Sequence, residues 1–163
     1  MKRSVVLILF FLSLVSTSAI AQTSEEIKPP SESASRADLE KWMTGALSKY
    51  GKYKNRARSV SVSSAKFAGC MLSFDVLHKP NTIDISSDRT VFSTRKVTQA
   101  VSIDMARVAS GGVAIEDFLD PGLRTLVVKL NDGAKTEVVV LGEAAAAMRI
   151  VMERLSTSCK PGS

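Results

Sequence analysis

The 163-residue chain predicts an α+β domain, a small and strongly bent antiparallel sheet or barrel of about seven short strands with an N-terminal helix and a C-terminal capping helix. Three observations predict it. Leu39, Trp42, Met43, Ala46, Leu47 and Tyr50 recur at helical spacing. From Ser59 to Leu141, short runs of apolar residues at period two are cut by Gly, Pro, Asn and Asp. After Glu143 the period returns to that of a helix.

At the start, Met1 to Ala21 has the three parts of a secretory leader. Lys2 and Arg3 supply the charged end, Val5 to Val15 the apolar run, and Ala19-Ile20-Ala21 the small-residue cleavage site. The run is too short to span a bilayer of about 30 Å. Export is therefore expected, with cleavage after Ala21 and a secreted or periplasmic location. No cysteine follows the cleavage site to carry a lipid anchor. Losing Lys2 and Arg3 leaves 20 basic residues of the 22 against 16 acidic, so the mature chain carries +4 where the whole sequence carries +6. Residues 22–34, with Glu25, Glu26, Pro29 and Pro30, hold almost nothing apolar and read as a disordered linker. Residues 35–160 then form a single domain, long enough to bury a core of its own.

Ser35 and Asp38 have capping-box spacing with Asp in place of Glu, and Gly51 closes the helix that follows. Trp42, on the apolar stripe of that helix, is expected to anchor the core, with stacking on a ligand as the alternative. Lys49, Lys52, Lys54, Arg56, Arg58 and Lys66 follow with no acidic residue between Glu40 and Asp75, and Tyr50 and Tyr53 stand among them. Cations beside aromatics suit an anionic polymer or a lipid headgroup, but a solvated segment has the same composition. No nucleic-acid motif accompanies the run, which argues against nucleic acid as a partner.

Among the strands, Ala68, Cys70, Leu72, Phe74 and Val76 are expected to share one face of the strongest. Short strands are expected at Ile83–Ser86 and Val113–Phe118, and one or two within Arg89–Asp104. A helical turn capped by Asp104 is expected to end at Gly111-Gly112. Leu123 to Leu141 reads as a hairpin around Asn131-Asp132-Gly133. A three-residue loop sets Val128 opposite Thr136 and Leu126 opposite Val138 on one largely apolar face, and places Gly133 where a left-handed residue is wanted. The same register puts Lys129 opposite Lys135. In the last helix Ala144, Met148, Val151, Met152, Leu155 and Cys159 form the buried stripe, Arg149 and Glu153 are an i,i+4 pair, and Pro161-Gly162 stop it.

Element order over Ser59–Cys159 resembles a pleckstrin-homology-like barrel. Trp42, the run Phe67-Ala68-Gly69-Cys70-Met71-Leu72 and the late Cys159 resemble short exported bacterial proteins of uncharacterised function, a resemblance that implies no activity. In an oxidising compartment two cysteines in one small domain usually pair. Cys70 and Cys159 are therefore expected to form a structural disulfide that fastens the last helix to the sheet.

The inventory for catalysis is short. His78 is the sole histidine, with no nucleophile motif near it, and is expected in an exposed loop. Two isolated cysteines and one histidine lack the spacing of a metal site, and no phosphate loop, dinucleotide fingerprint or calcium loop occurs. No cofactor is expected. Asp75, Asp84, Asp88, Asp104, Asp117 and Asp120 could supply a carboxylate pair, though turns and caps account for such residues as well. The reading that follows is a non-catalytic extracytoplasmic domain that binds a protein, a peptide or an envelope component. The alternatives are a small exported hydrolase with convergent carboxylates and an anion binder using residues 49–66. Converging carboxylates in a cleft favour the enzyme, whereas an apolar groove or an open sheet edge favours the binder.

Overall fold

The computed structural model describes residues 27–54, 58–80, 82–86, 89–93 and 96–162, without the side chains of residues 53, 54, 58, 79, 80, 82–86 and 89–93. The expected leader at residues 1–21 lies outside them. Helix α1 (Arg36–Tyr50) starts on the predicted box: the Asp38 N–H donates to Ser35 Oγ at 3.2 Å, and the Ser35 N–H donates back to Asp38 Oδ2 at 3.2 Å. Leu39, Met43, Ala46 and Leu47 are its buried face, which packs on strand β2 (Arg58–Ala68) and on helix α2 (Gly142–Ser158).

The fold is α+β, as expected, but the barrel is not closed. Strands β1 (Lys52–Lys54), β2, β3 (Met71–Pro80) and β6 (Val97–Asp104) form one antiparallel sheet, and β7 (Val108–Asp117), β8 (Leu123–Leu130) and β9 (Lys135–Leu141) form another. No hydrogen-bonded ladder joins the two among the described residues. The expected count of about seven strands is corrected as well. Six strands, in two three-stranded meanders, carry the core, with the three-residue β1 added at an edge. The pair β4 (Thr82–Ser86) and β5 (Arg89–Ser93) extends the β3–β6 hairpin without a change of register: His78 faces Val97, and four residues further along each strand Thr82 faces Ser93.

Three local readings change. Cys70 is not on an inward strand face: Gly69 and Cys70 form the turn between β2 and β3, with Gly69 at φ +59, a conformation that glycine adopts without a Cβ clash. Gly111-Gly112 do not end an element but lie inside β7, where the pairing with β8 slips between Val108 and Val113, so a bulge absorbs them. The 3₁₀ turn Met105–Arg107 that precedes β7 is capped by Asp104, which accepts from the Ala106 N–H at 3.0 Å. The β8–β9 hairpin keeps its expected register, with Leu126 opposite Val138 and Val128 opposite Thr136. Gly133 sits at φ +86 and its N–H donates to the Leu130 carbonyl at 2.9 Å.

Leu72, Phe74 and Ile103 of the first sheet, Leu126, Val128 and Val140 of the second, and Met148, Val151, Met152 and Leu155 of α2 make one continuous core with α1. Cys70 and Cys159 form a disulfide, Cα–Cα 5.7 Å, between the β2–β3 turn and the end of α2. The segment before α1 is held at the other side of that helix: the Arg154 guanidinium donates to the carbonyls of Pro30, Ser31 and Glu32 at 3.0, 2.9 and 2.9 Å. Ile27 and Ala34 pack against the core.

Candidate functional site: a cleft between the sheets

Alternation along the first sheet puts Val60 and Val62 of β2, Leu72, Phe74, Val76 and His78 of β3, and Gln99, Val101 and Ile103 of β6 on one face. The register confirms the rows, since Val62 faces Val76, Val76 faces Gln99 and Phe74 faces Val101. Burial falls along that face. Leu72 and Ile103 are fully buried near the disulfide, while Val97, at the far end of the same face, is 49% exposed. The open half faces a cleft of about 590 Å³. Val60, Val62, Val76 and Val101 line it from the first sheet and Val138 and Val139 from the second, with Phe118 beside them.

The valines share the lining with polar residues: His78, Gln99, Ser102, Lys135, Thr136 and Glu137. His78 is half-buried on β3, opposite Val60 and Val97. It is not in an exposed loop, because β3 continues through it to Pro80. Lys135 and Glu137 are exposed on β9. Consecutive residues of β6 (Gln99 to Ser102) and of β9 (Lys135 to Val139) line the cleft. Side chains on a strand alternate between faces, so the backbones of both strands border it.

Among the described residues the lining contains one carboxylate, Glu137. The carboxylates singled out in the sequence that lie among the described side chains do not converge there. Asp104 caps the 3₁₀ turn, Asp120 accepts from the Gly122 N–H at 3.0 Å, and Asp117 sits 3.5 Å from Arg124. The Asp84 and Asp88 side chains lie outside the described residues. No group of three metal-ligating side chains occurs among the described residues. Asp38 and Asp132 have pKa values below the ordinary carboxylate value, both chiefly from local hydrogen bonds. The Ser35 hydroxyl and N–H hold Asp38, and the Ala134 N–H, with the Arg107 charge, holds Asp132.

The basic run is spread out. Lys49 Nζ lies 4.8 Å from the Tyr50 ring centroid at the end of α1, and Lys52 and Lys66 are exposed. Lys52 pairs with Ser61, and Lys66 lies four ladder steps further along β2 beyond the register shift after Ser63, so the two cations stand about 13 Å apart along the strand direction at 3.3 Å per step. Arg56 and the side chains of Lys54 and Arg58 lie outside the described residues. Trp42 is half-buried against the core and lines a shallow groove with Ile27, Pro30 and Tyr50.

The cleft valines were visible in the sequence only as strand alternation. That three strands of one sheet and one of the other would face each other across a gap follows from topology, which no local pattern encodes. Among the described residues no helix is long and apolar enough to cross a membrane. No family model, curated protein or solved structure matches the chain.

Proposed function

We propose that the protein is a non-catalytic extracytoplasmic binding domain that takes an extended, uncharged segment of a partner protein or peptide into the cleft between its two sheets. The observation that carries this reading is the lining itself, six valines interspersed with polar side chains that can hold a peptide backbone, the mixed composition of a recognition groove. Among the described residues the cleft holds one carboxylate, not the pair that a glycosidase mechanism uses. Among the described residues, Lys52 and Lys66 stand at separate places on the first sheet and do not share a focus for an anion. Export with cleavage after Ala21 belongs to the same proposal and rests on the leader composition; a disulfide suits an oxidising compartment. Two antiparallel sheets in succession followed by a helix support a likeness to an opened pleckstrin-homology-like barrel and to exported proteins built that way.

The test is selection of displayed random-sequence peptides on the mature protein, repeated with Val101→Trp, which fills the cleft from its β6 wall. Enrichment of uncharged, β-branched sequences that bind the native protein and lose binding at least tenfold to the variant is the expected result. The variant must keep its melting temperature within a few degrees. Peptides that bind both proteins equally, or no enrichment at all, would overturn the proposal.

A further inference from the structure

Four strands border the two main sheets, and three of them carry features that discourage pairing with another chain. Strand β1 has three residues, includes Lys52 and Lys54, and lies against β9. Strand β9 carries Lys135 and Glu137, and β7 carries the bulge together with Glu116 and Asp117. Charge, brevity and bulges are the usual protections of a sheet edge. Strand β6 has a charge only at its last residue, Asp104, which caps the 3₁₀ turn. From Val97 to Ile103 it reads Val-Thr-Gln-Ala-Val-Ser-Ile, with no charge, proline or glycine, and residues 97–100 and Ser102 are exposed. On its inner side it is paired with β3; on its outer side no strand is paired with it among the described residues.

An edge of this composition pairs or aggregates. We infer that β6 pairs with β6 of a second copy of this chain, in antiparallel register about a two-fold axis at Gln99. That register sets Val97 opposite Val101 on the inner face and Thr98 opposite Ala100 on the outer face, so apolar meets apolar and small meets small. Gln99 meets its own copy, where two amides can exchange hydrogen bonds. The mature chain, at +4 by its leader-free composition, repels a second copy over most of its surface, and an uncharged edge is where that repulsion has no local source. The contact is isologous, and closes as a dimer without leading to a filament. It joins two four-stranded sheets into one, and brings Val97, Gln99 and Val101 of the second copy alongside the valine floor of the first. The edge also borders the cleft, through Gln99 to Ser102, but the inference does not rest on peptide binding, because the mass of the protein alone reads the pairing.

The mass of the mature protein in solution, measured by sedimentation over a range of concentrations, tests it. Wild type should sediment as a dimer. Thr98→Lys combined with Ala100→Lys sets like charges opposite each other across the axis, at two exposed positions, and should give a monomer with a melting temperature close to that of wild type. Thr98→Lys combined with Ala100→Glu instead sets opposite charges against each other at the same two positions and should restore the dimer, which a merely unfolded or loosened variant cannot do. A wild type that stays monomeric at every concentration, or a dimer whose mass neither pair of substitutions alters, would overturn the inference. A charge-swapped pair no more dimeric than the double lysine variant would overturn the register.

Discussion

At the scale of single residues, the start of α1 depends on an exchange between Ser35 and Asp38. The carboxylate accepts from the Ser35 hydroxyl at 2.6 Å and from its N–H, while the Asp38 N–H is satisfied by the same hydroxyl oxygen. These bonds favour the ionised form, so the Asp38 pKa lies below its ordinary value of 3.8. The sign of the linkage follows. A lowered folded-state pKa contributes stability that is complete above the ordinary carboxylate range and is lost as the pH falls through the lowered value. Wild type should therefore melt above Asp38→Asn near neutral pH, by a few degrees at most for an exposed cap. The gap should narrow as the pH is taken below 3.8. A gap that stays constant into acid would show that the carboxylate charge has no part in the cap. Ser35 and Asp38 were readable in advance because a cap is a local pattern, four residues long.

At the scale of elements, α2 is attached to the sheets by packing along its length and by one covalent bond at its end. The Cys70–Cys159 loop of 89 residues corresponds in the chain-entropy model to roughly 4 to 5 kcal/mol, an upper figure that depends on the model. Reduction, or Cys159→Ser, should lower the melting temperature by several degrees and speed amide exchange first in the last turn of α2, which hydrogen-exchange mass spectrometry resolves. Uniform acceleration across both sheets would place the effect elsewhere. The two helices, the β8–β9 register and the partnership of the cysteines were all legible, because each is written as periodicity, turn chemistry or compartment. The side of Cys70 was not. A run of alternating apolar residues looks like one strand, and only Gly69 at positive φ turns it into two. Gly51 shows the same limit. It ended α1 as expected, yet the structure adds a reason that no neighbour in sequence implies: a Cβ there would lie 2.6 Å from Val62 Cγ2. The bulge in β7, the short β1 and the gap between the sheets were illegible for the same cause, since each is decided by a partner distant in sequence.

At the scale of the whole molecule, charge and shape point to different surfaces. The cleft is floored by valines, and the cations of residues 49–66 that the structure describes lie outside its lining, on α1, β1 and β2. Replacing Lys52, Lys54, Arg56 and Arg58 with Gln should shift elution from a polyanion resin only modestly toward lower salt. Complete loss of retention, with a flattened salt dependence, would instead identify a concentrated anion site and favour the anion-binding alternative over the cleft.

The Arg154 clamp on Pro30, Ser31 and Glu32 spans separations of 122 to 124 positions in sequence, and it gives the molecule an order of events in time. A chain made from its N-terminus presents those three carbonyls early, and the guanidinium that binds them arrives only after both sheets have been synthesised. The same late stretch carries Cys159, the second half of the disulfide. Neither closure can happen while the ribosome still holds that stretch. Until it emerges, the growing chain has no means of fastening α2 to the segment before α1 or to the β2–β3 turn, and both sheets wait without their lid.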